Sequence, residues 1–271
     1  MTGPAPGDWP LETLQAQAQP LFPGLRVEAV AQTDSTNTEL MRRARAGAVP
    51  PATLLVAETQ TAGRGRLGRS WVTGSAGPGR LPALTFSLGV VLAPQDWSGL
   101  SLAVGVAVAG ALHPALQIKW PNDLWLHERK LAGILIETAQ VGGQRLAVIG
   151  IGINLEPPPA DLLAGLSVPP TGLRAVCPDD SAPQVLLRVL PALLAALRQF
   201  EAGGLVPFLE AYRARDLLQG RAVLLSDGTQ GTAQGIDAGG GLLVHTPAGM
   251  RTITSSEVSV RPVAPAAGRG A

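Results

Sequence analysis

The chain has little of what several protein classes depend on. It holds one cysteine, Cys177, among 271 residues, so no disulfide can form within it and a disulfide-stapled secreted scaffold is excluded. Nothing around Cys177 supplies the activating setting that a cysteine nucleophile needs. The three histidines, His113, His127 and His245, are far apart and lack ligand-like spacing, which argues against a structural zinc site. Four phenylalanines and one tyrosine are too few for the stacking platforms of a nucleic-acid binder, and a net charge of +1 gives no basic surplus. The longest apolar run, Leu100 to Leu112, is too short for a bilayer and rich in Gly and Ala, as suits a buried helix. Met1 to Pro10 lacks the basic and apolar regions of a signal peptide, so a soluble cytoplasmic protein is expected.

What is present centres on Ala62 to Trp71, where Gly63, Gly65 and Gly68 are interleaved with Arg64, Arg66 and Arg69 after a strand-like segment, Thr53 to Glu58. Glycine lets backbone approach a ligand closely and arginine grips carboxylate or phosphate, so the expected guest is an anion. Three like charges this close repel one another. The loop is therefore expected to be mobile when empty and to order around an anion. Gly63-x-Gly65-x-x-Gly68 also fits the dinucleotide fingerprint, but that fingerprint opens a helix, and here a second Gly/Pro-rich stretch, Gly74 to Pro82, follows instead.

In chain order, Pro10 to Ala18 reads as a helix, Arg26 to Ala31 as a strand, and Thr38 to Ala46 as a helix closed by Gly47. Asp34-Ser35-Thr36-Asn37 caps that helix, and its spare hydroxyl and amide groups can also line a polar pocket. Strands are expected at Leu84 to Leu92, Lys130 to Glu137 and Leu146 to Asn154, with a helix from Trp97 to Leu112 packed through Gly105 and Gly110. Lys119-Trp-Pro-Asn-Asp123 is a turn between strands. Glycines alternate with isoleucine in Gly150-Ile-Gly152-Ile, stripping one strand face either as a pocket wall or for tight packing, and Gly133 marks a similar close approach.

A Pro-rich loop covers Pro157 to Asp180, with a short helix about Ala160 to Ala164. Helices follow at Val185 to Phe200, kinked at Pro191, and at Leu205 to Leu217. From Gly220 onwards five short alternating segments, Arg221 to Leu225, Gly231 to Ile236, Gly241 to His245, Met250 to Ile253 and Val258 to Arg261, suggest a small barrel. The expected organisation is a main domain over 1–218, a barrel over 219–263 and a frayed tail over 264–271.

Arg64, Arg66, Arg69, Lys119 and Lys130 supply cations, while Gln60, Asn37 and Asn154 are neutral hydrogen bonders. That inventory suits chemistry done by positioning and electrostatic stabilisation, as when a carboxylate attacks a phosphate. Asp34-Ser-Thr-Asn37, Gln60, Gly63-Arg-Gly-Arg66 with Gly68-Arg69 and Trp71, Lys119-Trp-Pro-Asn-Asp123, Lys130-Leu-Ala-Gly133-Ile-Leu-Ile-Glu137 and Gly150-Ile-Gly-Ile-Asn154 together resemble the biotin protein ligases, in that family's order. The resemblance implies an α/β catalytic domain of α+β type, its mixed sheet flanked by helices, with an SH3-like barrel at the C-terminus. It also implies that biotin and ATP, with Mg²⁺ carried by the nucleotide and no protein-only metal site, give biotinyl-5′-AMP. A lysine of a biotin carboxyl carrier domain then takes the biotin.

By the same resemblance Ser35, Thr36, Asn37 and Gln60 contact the biotin ureido head, and the strands at Gly133 and Gly152 let the bicyclic ring lie against backbone. Arg64, Gly65 and Arg66 close over the carboxylate and phosphates, Lys130 holds the carboxylate and acyl-phosphate oxygens, and Trp71 is an aromatic shelf near adenine. Arg69 and Asn154 belong to the adenylate side, Lys119 and Asn122 support phosphate or its Mg²⁺, and Asp123 orients the incoming lysine. Arg66, Lys130 and Asp123 are the catalytic candidates.

The stretch Val72 to Pro82 is longer and richer in Gly and Pro than the family's loop, so no contacts are carried over to it. Some thirty residues before the first strand are too few for a winged helix-turn-helix, and DNA binding is not expected. A lipoate-type ligase shares the adenylation chemistry but lacks this pair of Arg and Lys-Trp-Pro-Asn-Asp motifs. A non-catalytic biotin-binding regulator would have no use for the cations. The sequence leaves the oligomeric state open, with a homodimer paired through sheet edges among the options.

Overall fold

Period-two alternation of apolar residues builds a mixed seven-stranded sheet in the order β1-β2-β3-β7-β6-β5-β4. The computed structural model describes residues 8–46, 49–72, 81–159, 170–254 and 260–262. The strands are β1 (Arg26–Thr33), β2 (Thr53–Gln60), β3 (Ala83–Val91), β4 (Gln117–Lys119), β5 (Asp123–Leu126), β6 (Arg129–Val141) and β7 (Gln144–Asn154). Only β1 and β2 run parallel; the remaining neighbours are antiparallel.

Helices cover both faces. On one, α1 (Leu11–Ala18), α3 (Leu100–Leu112) and α4 (Ala182–Gly203) bury the main core against Leu54, Val56, Phe86, Leu88, Ile149 and Ile151. On the other, α2 (Thr36–Arg45) places Leu40, Met41 and Ala44 over Leu55, Leu146 and Val148. Ser35 caps α2, its Oγ accepting from Thr38 N–H, so the helix starts two residues before the sequence pattern indicates. Ser181 and Gln184 form a reciprocal capping box that starts α4, which runs through Pro191.

Three expectations for the helices are corrected. The segment from Trp97 begins as helix only at Leu100, because Gly99 adopts φ +77° and abuts Leu205. Gly110 is not a packing contact: a Cβ there would meet nothing within 4 Å. Leu205 to Leu217 is not one helix but a 3-10 turn at Val206–Phe208 and α5 (Leu209–Arg213). The chain then straightens to serve β4, with Ile118 N–H donating to Arg215 O at 2.7 Å and Leu217 N–H donating to Ile118 O at 3.0 Å. Satisfying an exposed strand edge outweighs the helical periodicity. Gly47, residues 73–80 of the long loop, Ala160 to Ala164, Val258 and the tail over 264–271 lie outside the described residues.

The C-terminal segments form an antiparallel five-stranded sheet, β11-β10-β9-β8-β12, from β8 (Ala222–Leu225), β9 (Gln230–Ile236), β10 (Leu242–Thr246), β11 (Gly249–Ile253) and β12 (Val260–Pro262). Its β9–β10 turn reaches the larger sheet, where the Trp120 indole N–H donates to Gly240 O at 2.9 Å. Gly240, at φ +83°, comes so close that a Cβ would stand 3.1 Å from Gly99 Cα. Trp120 is 1% exposed, so Trp120→Phe leaves the part-buried Gly240 carbonyl without its donor. It should cost about 1–3 kcal/mol in urea denaturation.

A second link joins Arg221 to Glu128 through two hydrogen bonds of 2.6 and 2.8 Å. Those bonds hold the Glu128 carboxyl below its ordinary range. A depressed carboxylate stabilises at neutral pH, and that gain is lost as pH falls through the folded-state value. The thermal advantage of the wild type over Glu128→Gln should therefore be present at pH 7 and shrink on acidification.

Candidate active site

Strand register sets the floor of the site. On β7 the residues that face α2 run Leu146, Val148, Gly150, Gly152, Asn154, so the surface changes from apolar to bare backbone to polar along one strand. Gly150 sits between Ser87 of β3 and Leu135 of β6, and Gly152 between Thr85 and Gly133. Side chains from elsewhere fill the two bare positions. A Cβ on Gly150 would stand 2.8 Å from Asn37 Cγ, and one on Gly152 would stand 2.6 Å from Trp71 Cζ2. Both bare positions thus let a polar or aromatic side chain approach the strand closely. Trp71 also lies over Gly133, at 3.5 Å from a Cβ there, so the indole covers the strip expected to receive the bicyclic ring. Its N–H is buried and finds no partner.

Around Asn37 lies a buried polar network. Gln60 Oε1 accepts from Thr36 N–H at 2.8 Å, Thr36 Oγ1 is 2.7 Å from Ser87 Oγ, and Ser87 Oγ donates to Asn37 Oδ1 at 2.6 Å. Asn37 Nδ2 donates to Leu135 O at 3.3 Å and to Glu137 Oε2 at 3.0 Å. Both amide hydrogens of Asn37 are thus spent inside the protein. Ser35, Thr36 and Asn37 are buried at the start of α2, where the N-terminal amides favour negative or polar guests.

The glycine–arginine loop folds as a small hairpin. Gly65 N–H donates to Arg69 O at 2.7 Å and Trp71 N–H to Gly63 O at 2.9 Å, while Leu67 (φ 55°) and Gly68 (φ 71°) turn its tip through the left-handed region. Gly65 itself has room for a Cβ, 3.4 Å from its nearest neighbour. The three arginine side chains take different settings. Arg64 pairs with Glu137 at 3.0 Å, Arg66 Nη1 donates to Asn122 Oδ1 at 3.2 Å, and Arg69 stays exposed. Burial pulls the Arg66 guanidinium below its ordinary value, against the attraction of Asp123 and with the repulsion of Arg69. A half-buried cation of this kind gains from an anionic guest.

The turn after β4 completes the arrangement. Asn122 Nδ2 donates to Ile134 O at 2.8 Å, and Asn122 O accepts from Ile134 N–H at 3.0 Å, so the turn is fixed to β6. Lys130 Nζ is 2.7 Å from Asp123 Oδ1 and lies against Gly133. Lys119 stands opposite Asp123 in the β4–β5 hairpin, its ammonium 5.6 Å from the Trp125 ring centre. Arg66, Asn122, Asp123 and Lys130 are thereby brought together from three separate segments. Asn154 closes the floor at the end of β7 opposite Ala83.

The model of the biotin/lipoate A/B protein ligase family matches residues 29–154, and that of the biotin protein ligase C-terminal domain matches residues 220–261. A biotin–[acetyl-CoA-carboxylase] ligase of Paracoccus denitrificans is 33% identical over 84% of this chain and 98% of its own length. The chain belongs to the biotin protein ligase family. A second family member, the biotin–[acetyl-CoA-carboxylase] ligase of Mycobacterium tuberculosis, is 37% identical over 85% of this chain and 86% of its own. The structure of the Aquifex aeolicus biotin protein ligase in complex with biotin and ATP superposes with a TM-score of 0.70 at 29% identity, over 88% of this chain and 99% of that one.

Two site residues escape a sequence reading that looks for cations and caps. Ser87 is fully buried at the centre of the network, and Glu137 joins that network to Arg64. The signal for Ser87 was its place between Thr85 and Gly89 on one face of an otherwise apolar strand.

Proposed function

We propose that this chain activates biotin with ATP to biotinyl-5′-AMP and transfers the biotin to a lysine of a biotin carboxyl carrier domain. The observation that carries this reading is the convergence of Arg66, Asn122, Asp123 and Lys130 beside a neutral polar pocket built by Thr36, Ser87 and Gln60. Family membership supports it. In the first step a carboxylate oxygen of biotin attacks the α-phosphorus of ATP and pyrophosphate leaves. Negative charge grows on oxygens that Arg66 and Lys130 are placed to stabilise. In the second step the carrier amine attacks the acyl carbon and AMP leaves.

Ser35, Thr36 and Gln60 receive the ureido head, with Asn37 holding them in place. Arg64, Gly65 and Arg66 close over the carboxylate and phosphates. Arg69, Trp71, Lys119, Asn122 and Asn154 serve the nucleotide side, and Gly133 and Gly152 give the indole its close approach to backbone. Asp123, engaged by Lys130, must share that partner to orient the carrier lysine. Mg²⁺ arrives with the nucleotide; among the described residues no group of three or more His, Cys, Asp or Glu is placed to hold a metal. The 220–261 match supports an SH3-like barrel for the C-terminal sheet, and the use of ATP supports a cytoplasmic setting.

The test is exchange of labelled pyrophosphate into ATP, with biotin, lipoate and octanoate compared and no acceptor protein added. Exchange driven by biotin alone is expected. Exchange driven by lipoate instead would make this a lipoate-type ligase. No exchange with any acid, in a folded sample, would leave a binding protein without the chemistry.

A further inference from the structure

Hydrogen counting in the buried network points to a residue whose part no motif supplies. Asn37 Nδ2 faces Leu135 O and Glu137 Oε2, both acceptors only, so the amide orientation of Asn37 is fixed and its Oδ1 must face Ser87. Ser87 has one hydroxyl hydrogen and spends it on Asn37. The 2.7 Å contact between Ser87 and Thr36 therefore needs the Thr36 hydrogen. Thr36 Oγ1 is also 3.1 Å from Gln60 Oε1, the longer of two claims on the same hydrogen, so with that hydrogen on Ser87 it is Thr36 N–H that Gln60 Oε1 accepts from, and the Gln60 Nε2 hydrogens turn away from Thr36. The donor–acceptor polarity of the pocket is held at one end by Leu135 O and the Glu137 carboxylate and at the other by Thr36 N–H, and Glu137 is the one charged group among them. The same carboxylate accepts from Arg64 Nη1 at 3.0 and 3.3 Å.

We propose that Glu137 is a positioning residue which anchors the hydrogen-bond chain of the head-group pocket, alongside Leu135 O, and couples that pocket to the arginine loop. Its side chain is 21% exposed while that of Arg64 is 50% exposed, so the carboxylate stands at the boundary between the buried network and the solvent-facing hairpin. A guest that engages Gln60 or Thr36 loads the chain of donors that ends on Glu137, and Glu137 transmits this to Arg64. Asn37 and Arg64 are coupled through the carboxylate that both donate to.

The proposal rests on the ligase reading for its kinetic test and not for its structural one. Asn37→Ala, Arg64→Ala and the double variant are made with Glu137 and again with Glu137→Gln, which keeps shape and removes charge. Biotin KM in pyrophosphate exchange and the urea unfolding midpoint are both measured. Glu137→Gln alone should raise the biotin KM about tenfold, since a hydrogen bond to a charged partner is lost, with a smaller change in kcat. With Glu137 present, the double variant should be about fivefold less impaired than the product of the single effects, and in the Glu137→Gln background the effects should simply multiply.

Multiplying effects in both series, or equal coupling in both, would overturn the assignment. If the folded wild type shows no exchange, the ligase reading fails. The unfolding cycle then decides on Glu137 alone, with the same pattern of coupling expected and its absence overturning the role.

Discussion

Lys130→Ala is expected to depress biotin-dependent pyrophosphate exchange about a hundred- to thousandfold, the loss typical of removing one preorganised group from a developing oxyanion. Lys130 Nζ is held 2.7 Å from Asp123, which restrains the ammonium before any charge builds up. The effect should fall mainly on kcat, because the interaction strengthens as the α-phosphate becomes more negative. Arg66→Ala should lose a similar factor, and the double variant should lose less than the product, since both cations act on one charge. Asp123→Asn separates the contributions: it leaves the cation in place and should spare adenylation more than transfer to the carrier. Near-normal exchange by Lys130→Ala would remove that residue from the mechanism.

Gly150→Ala is expected to have the second-largest effect, although it adds one methyl group. The new Cβ would stand 2.8 Å from Asn37 Cγ, and Asn37 cannot retreat because Ser87, Leu135 and Glu137 hold its amide from both ends. Overpacking of this kind costs about 1–3 kcal/mol, to be read in the urea midpoint. The damage should extend to binding, with biotin KM rising about tenfold or more as the donors on Thr36 and Ser87 turn. Gly110→Ala is the matched control. It meets nothing within 4 Å and should stabilise α3 slightly, because glycine in a helix interior carries an entropic penalty.

Strands and their faces were legible in the sequence because burial on one side imposes a period of two. The Lys130 to Glu137 segment and the five C-terminal strands lie where alternation put them, with ends that shift by a few residues. The helix forecast for Leu205 to Leu217 was not, since residues 215–217 answer to hydrogen-bonding groups of β4 nearly a hundred positions earlier in the chain. The cations were legible one at a time, through the glycines beside Arg64 and Arg66 and the turn at Asn122 and Asp123. Their grouping was not. Nor did any local pattern reveal that Asn37 would use all its donors internally, or that Gly152 would lie under Trp71, because both facts depend on register between strands distant in sequence.

The segment 215–217 that lies along β4 has a bearing on how copies of the chain can associate. Ile118 already exchanges its outward N–H and C=O with Arg215 and Leu217, and Arg215 Nη1 donates to the carbonyls of His113, Pro114 and Leu116. One rim of the large sheet is thereby sealed by the chain itself. Among the described residues no strand pairs with the outer side of β1, at the opposite rim. A sheet with a single open rim can be extended once, by a two-fold partner presenting the same strand, and growth then stops. Association through the β1 rim would be self-limiting: it would close a pair and leave no rim, among the described residues, from which a filament could grow.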